Sequence, residues 1–327
     1  MKSYLNIFIF LILILSFQSI EEDLVIESKA LGAELTSIKY KNKEYLHDGL
    51  EFWYEQSPIL FPIVGKLRYD KTTINGANYT ISKHGFAKGM VFEEIGKHSY
   101  RLNSSNETLN KFPFDFELYV SYTTEKNKLF FNYTVINKTP NQIMLFGIGG
   151  HPGFKCDYYK EKSSIVFEKE ENKIKVIPVD INAGLMSNEI IDGNEFLVDK
   201  KIFNIKNDSF ENDAVVFTDI ESKSVILKDN GKNILKFNFE QFKYLGIWSA
   251  NDKAPYVCLE PWYNTPDYVN STIEFEEKKD IIKLEYGKKF EVGFSVEFFD
   301  NSDNTEGACG LNYFPLLLLI NFVFLFI

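Results

Sequence analysis

Glu260 has the most unusual setting of any carboxylate in this chain. It lies in Tyr256-Val257-Cys258-Leu259-Glu260-Pro261-Trp262, an acid inside an apolar, strand-like run. Burying an unpaired carboxylate is expensive. An apolar surround raises its pKa and suits it to general-base work. A salt-bridged core Glu is the plainer reading, and this segment alone leaves both open. Partners for acid–base chemistry are scarce, because the chain has 4 His. His84 opens His84-Gly85-Phe86-Ala87-Lys88, and His151 sits between Gly149-Gly150 and Pro152-Gly153-Phe154. Glycines beside a His let the backbone turn and carry the imidazole into a pocket. A His that merely caps a tight turn is the alternative. His47 and His98 stand in charged, turn-like surroundings and read as surface. Asp213 heads a strand-like run, where an ordinary turn residue is expected. Lys66 and Arg68 project to the same side if their segment is extended, with plain solvation as the other reading. No His and acid pair has ligand spacing on one element, so no metal is expected. A nucleophile made from Cys156 or Cys258 with His151 has nothing local to activate its thiol.

Strands must position these residues. Phe114–Tyr122 and Lys128–Ile136 alternate apolar and polar residues, as does Glu291–Phe298. A period of two means one buried face and one wet face. Asn75-Gly76 and Asn230-Gly231 are two-residue hairpin signals between such runs. There is no amphipathic helical stretch longer than three turns, no linker and no repeat between about residues 24 and 299. Many antiparallel strands with short turns predict a large all-β sandwich or barrel.

Composition narrows the function. A net charge of −10 gives no basic stripe for a nucleic-acid backbone. GxGxxG, GxxxxGK[ST] and HExxH are absent from the sequence, so dinucleotide, P-loop and zincin readings have no anchor. The 3 Cys cannot build a disulfide scaffold. The two ends read as addresses. Residues 1–20 combine Lys2, an apolar run from Leu5 to Leu15 and small or polar residues before Glu21, the pattern of a signal peptide. Residues 301–327 place small and polar residues ahead of an uncharged tail from Leu311 to Ile327, the pattern of a GPI-attachment signal, with a transmembrane anchor as the alternative. Sequons at Asn78, Asn103, Asn106, Asn132, Asn137, Asn207 and Asn270 agree with export and glycosylation. A single β-domain over residues 21–300, carried to the cell surface on a lipid anchor, is the expectation. In an oxidising compartment Cys156 and Cys258 are candidates to pair.

Several segments then align with one family. PILFPIVGKL (58–67), KHGFAKGM (83–90), FPFDFEL (112–118), FGIGGHPGF (146–154), YLGIW (244–248) and VCLEPW (257–262) stand in the order seen in the aldose 1-epimerase (galactose mutarotase) superfamily. The likeness runs from about residue 27 to 298 and is greatest to its LacX-like branch. The resemblance implies a galactose-mutarotase-like supersandwich of antiparallel strands. It implies an isomerase that interconverts the α and β anomers of free aldohexoses, without a cofactor. It implies Glu260 as the base at the C1 hydroxyl, His151 as the acid at the ring oxygen, and His84 as the group that holds or polarises that side. Asp213 and Lys66 would bind sugar hydroxyls. The family usually carries Arg at the place of Lys66, and an ammonium replaces a planar fork of donors there. A catalytically weak, surface-held carbohydrate-binding protein on the same fold is the alternative.

Overall fold

The computed structural model describes residues 23–157, 162–251 and 253–300. The expected leader and tail, including Cys309, lie outside them. Among the described residues, two large antiparallel sheets dominate and helix is limited to short turns such as Asn106–Leu109. The expected all-β supersandwich is what forms.

The nine-stranded sheet runs in the order Ile202–Asn204, Ser163–Phe167, Ser224–Asp229, Lys232–Asn238, Lys289–Phe298, Lys128–Asn137, Phe116–Glu125, Ser99–Asn103 and Glu93–Gly96. Its long central strands realise the alternation in the sequence. In Phe116–Glu125 every second residue from Phe116 to Tyr122 is buried. Phe131 pairs with Phe294 across neighbouring strands, and their rings stack at 4.2 Å. Such a cross-strand pair fixes register because a one-residue slip of either strand would turn its ring to the other face. Both hairpin signals form their turns. Asn75 and Gly76 have φ 52° and 76°, and Asn230 and Gly231 have φ 51° and 76°. Positive φ at both central residues is the twist-compatible type I′ geometry.

The eight-stranded sheet carries the candidate site. Its main path runs Ile191–Asp192, Lys175–Ile177, Val215–Thr218, Tyr244–Trp248, Tyr256–Trp262, Gly149–Gly150 and Ile59–Leu60, with Gly153–Lys155 also pairing with Tyr256–Trp262. Every residue of Tyr256–Trp262 is buried, and the strand still has two distinct faces. Val257 and Leu259 point into the main core. There Phe154 meets Phe237 and Phe167 meets Phe217 between the two sheets. Tyr256, Cys258 and Trp262 belong to separate clusters on the opposite face, the face to which Glu260 also points by alternation.

The register also bears on the cysteines. Gly153 pairs with Cys258 and Lys155 with Tyr256, and the Cys156 N–H reaches the Pro255 carbonyl. Cys156 and Cys258 are therefore offset by three positions on adjacent strands. That is roughly 10 Å along the strand, beyond the ~4.4–6.8 Å Cα separation that a disulfide spans.

Candidate active site

A cleft of about 200 Å³ opens on the outer face of the eight-stranded sheet. Glu260, His151, His84, Asp213 and Lys66 all line it, brought together from segments nearly two hundred residues apart in sequence. Glu260 is 1% exposed and His151 7% exposed. His151 Nε2 lies 3.1 Å from Glu260 Oε2. The Trp262 indole N–H donates to the same oxygen at 3.2 Å. Burial is the main force on the pair. It raises the Glu260 pKa well above the carboxylate range, and the Asp213 charge adds to this. Lys83 and the Trp262 hydrogen bond oppose the rise. Burial lowers the His151 pKa to about 3, with Lys83 and Lys88 pushing the same way. Both groups are driven toward their neutral forms, so the pair is set up to hold and exchange a single proton.

His84 is arranged differently. The Gly65 N–H donates to His84 Nδ1 at 3.1 Å, and the His84 N–H donates to the Gly65 carbonyl at 2.7 Å. With Nδ1 accepting, the neutral ring carries its proton on Nε2. Burial and the neighbouring His151 hold the His84 pKa well below 6.5, so that neutral ring persists. Its ring meets His151 edge to face at 5.4 Å. The backbone at His84 and Gly85 is left-handed, with φ 66° and 78°. The glycine therefore turns the chain here as its place in the sequence suggested. Gly149 and Gly150 do not. They are extended, and they allow close approach instead, since a Cβ at Gly150 would sit 2.7 Å from the Phe294 ring.

The remaining polar groups form ion pairs on the walls. Lys88 meets Glu55 at 2.6 Å, and Lys83 meets Asp213 at 3.8 Å. Asp213 also accepts the Ala214 N–H at 2.8 Å from a left-handed position, φ 72°, just before the strand Val215–Thr218. Lys66 donates to the Ala183 carbonyl at 3.2 Å. That contact ties the cleft wall to the turn between Val179–Asp180 and Leu185–Met186. Arg68 does not stand in for it. Its guanidinium is committed elsewhere, donating to the Ser271 carbonyl at 2.9 Å.

His47 corrects the surface reading. It is 2% exposed, its ring lies 4.0 Å from the Tyr256 ring, and its Nε2 is 2.8 Å from the Trp53 carbonyl. The Tyr256 ring comes from a strand remote in sequence, which is why the charged local context misled. His98 is half-buried, with Nδ1 2.7 Å from the Ser28 hydroxyl. Sequence reasoning did not single out Trp53, Glu55, Lys83 or Lys88, all of which line the cleft. The His84 segment that supplies Lys83 and Lys88 was the available signal. Trp53, Trp248 and Trp262, the chain's 3 Trp, all wall the cleft. Trp53 lies 4.8 Å from the His151 ring and 5.7 Å from the Trp248 ring. Flat aromatic faces beside paired donors and acceptors suit a small polyhydroxy ligand.

The buried pair gives the fold a pH signature. The folded-state pKa of His151 is depressed, so its contribution to stability is present above about 6.5 and lost as the pH falls toward about 3. Glu260, raised by burial, has the opposite sign and favours the folded state in acid. Acidification from pH 7 to 4 is expected to cost the wild type a few kcal/mol more than His151→Gln, where the group is absent. Urea unfolding at the two pH values checks this, and equal losses in both proteins would remove His151 as the cause.

The aldose 1-epimerase family profile matches residues 19–297. The chain is 32% identical to the chromosomal LacX protein of Lactococcus lactis subsp. lactis over 282 residues, covering 80% of this chain and 92% of that one. It is similar to the solved galactose mutarotase related enzyme of Lactobacillus acidophilus, with a TM-score of 0.77 and 27% identity over 88% of this chain and 98% of that one. A galactose mutarotase-like protein of Lactobacillus casei gives a TM-score of 0.79 at 24% identity, covering 85% and 98% of the two chains, a likeness of fold.

Proposed function

Because this chain belongs to the aldose 1-epimerase family, an isomerase family, and within it resembles the LacX proteins, we propose that it interconverts the α and β anomers of free aldohexoses. The observation that carries this reading is the His151–Glu260 contact of 3.1 Å in a cleft walled by aromatic rings. Ring opening needs a proton taken from the C1 hydroxyl and a proton given to the ring oxygen, two atoms bonded to the same carbon. An acid and a base in mutual contact match that demand. Glu260 removes the C1 hydroxyl proton and His151 donates to the ring oxygen as the C1–O5 bond breaks. Opening starts from the state of the pair in which the single shared proton sits on His151, and it ends with that proton count unchanged and the proton on Glu260, the neutral arrangement that burial favours. Rotation about C1–C2 presents the other carbonyl face, and the reverse transfers close the ring as the second anomer. His84, a fixed Nε2–H donor, steadies the ring-oxygen side. Asp213 with Lys83, and Glu55 with Lys88, offer donor and acceptor together to the remaining hydroxyls, while Lys66 reaches the sugar through the wall it holds.

Optical rotation of freshly dissolved α-D-glucose and α-D-galactose tests the reading. Acceleration above buffer is the expected result. A folded protein that binds either sugar without accelerating rotation would instead be a surface carbohydrate-binding protein. The proposal extends to location: export, and retention at the cell surface through a lipid anchor. The terminal patterns and the exposure of six of the seven sequon asparagines support it, the exception being buried Asn137. Among the described residues no helix is long and apolar enough to cross a membrane. Treating intact cells with a phosphatidylinositol-specific phospholipase should release the protein. Retention on the cells, or an intracellular location, would sink the anchor.

A further inference from the structure

We propose that the buried cluster where two cleft residues, His151 and Glu260, meet Cys258 is also a binding site for a thiophilic divalent cation, zinc being the best fit. These three buried side chains offer one nitrogen, one sulfur and one oxygen, with ligand atoms all within 4.8 Å of one another. The fold puts them there for separate reasons. Cys258 and Glu260 are two residues apart on the strand Tyr256–Trp262, so alternation turns them to the same face. His151 arrives from beyond Gly149–Gly150, which pairs with that strand. The mutarotation chemistry uses the His and the Glu and leaves the thiol without a task. His151 Nδ1 is in addition a buried nitrogen without a hydrogen-bond partner, on a side chain more than nine-tenths buried. An imidazole nitrogen grouped with a carboxylate and a thiol is a donor set that zinc prefers over calcium or magnesium.

The geometry is close to what the ion needs. Zinc–ligand bonds of ~2.0–2.3 Å set tetrahedral donors roughly 3.3–3.8 Å apart, so the widest gap closes with a movement of roughly 1 Å. Binding deprotonates the Cys258 thiol and displaces the proton shared by His151 and Glu260, and both protons pass to solvent. The ion thereby occupies the acid–base pair, and it competes with the sugar.

Two measurements test this on the full protein. Cobalt(II), added as a spectroscopic stand-in for zinc, should give a thiolate-to-metal absorption band in the near ultraviolet that is absent in Cys258→Ser. This readout does not depend on any catalytic activity, so it distinguishes failure of the metal site from failure of the mutarotase reading. In polarimetry, zinc chloride should suppress the wild-type rate competitively with aldose, with EDTA restoring it. Cys258→Ser should keep its rate without zinc and need at least ten times more zinc for the same suppression. No thiolate band in the wild type, or equal zinc sensitivity in the two proteins, overturns the site.

Discussion

Glu260→Gln should abolish most of the mutarotation while leaving the protein folded. Positioned general acid–base groups typically contribute ~10²–10⁴-fold each, and a loss in that range is expected in kcat. Gln is close to isosteric and keeps an oxygen for the Trp262 indole N–H, which Glu260 accepts at 3.2 Å. It cannot take a proton from a sugar hydroxyl. The substitution also removes a carboxylate that burial disfavours in its ionised form, so the variant should be at least as stable as the wild type at neutral pH. A stable variant with KM little changed and kcat collapsed would locate the defect in the chemistry. A variant that matches the wild-type rate would remove Glu260 as the base and with it the mechanism.

Gly85→Ala should be the most damaging single change to the fold near the site. At φ 78°, an L residue is strained by roughly 1–2 kcal/mol before any contact is counted. The new methyl would also lie 2.0 Å from the Phe61 carbonyl oxygen and 2.7 Å from the Pro62 nitrogen. Those are backbone atoms and cannot swing aside. The Phe61 carbonyl accepts the N–H groups of Phe86 and Ala87 at 3.0 and 3.2 Å, so moving it disrupts both. A loss of about 3–5 kcal/mol is expected, a fall in Tm of roughly 10 °C by circular dichroism. Activity should fall further than stability at room temperature, because His84 is the adjacent residue. An unchanged Tm would mean that the segment relaxes freely, and that His84 is not held by it.

What the sequence made legible follows a physical pattern. Alternation and the two Asn-Gly turns are local signals, and the sandwich strands formed where they pointed. Glu260 was visible because a charge inside an apolar run is anomalous without any knowledge of its partners. His47 was invisible for the converse reason. Its neighbours Asp48 and Glu44 are charged, but the Tyr256 ring that covers it is some two hundred residues away. Arg68 could not be placed from its spacing to Lys66, because the Ser271 carbonyl that takes its guanidinium lies some two hundred residues away. The glycines before His151 read as a turn signal, and their service is steric. Gly150 leaves room for the Phe294 ring of the nine-stranded sheet, and Gly149 for the Pro261 carbonyl and the Trp262 ring. Local anomalies survive in a sequence, whereas tertiary neighbours do not.

The crowding of all three tryptophans into the cleft has a spectroscopic consequence. With none elsewhere in the chain, the tryptophan emission of this protein, excited at the red edge where its 18 Tyr do not absorb, originates entirely at its candidate active site. A sugar settling against Trp53 or Trp248 displaces water from the emitting rings themselves, so binding can be followed without a label. Fluorescence also splits unfolding into two views. Circular dichroism follows the sheets, while emission follows only the pocket, and a gap between the two transitions would reveal a cleft that loosens before the sandwich does.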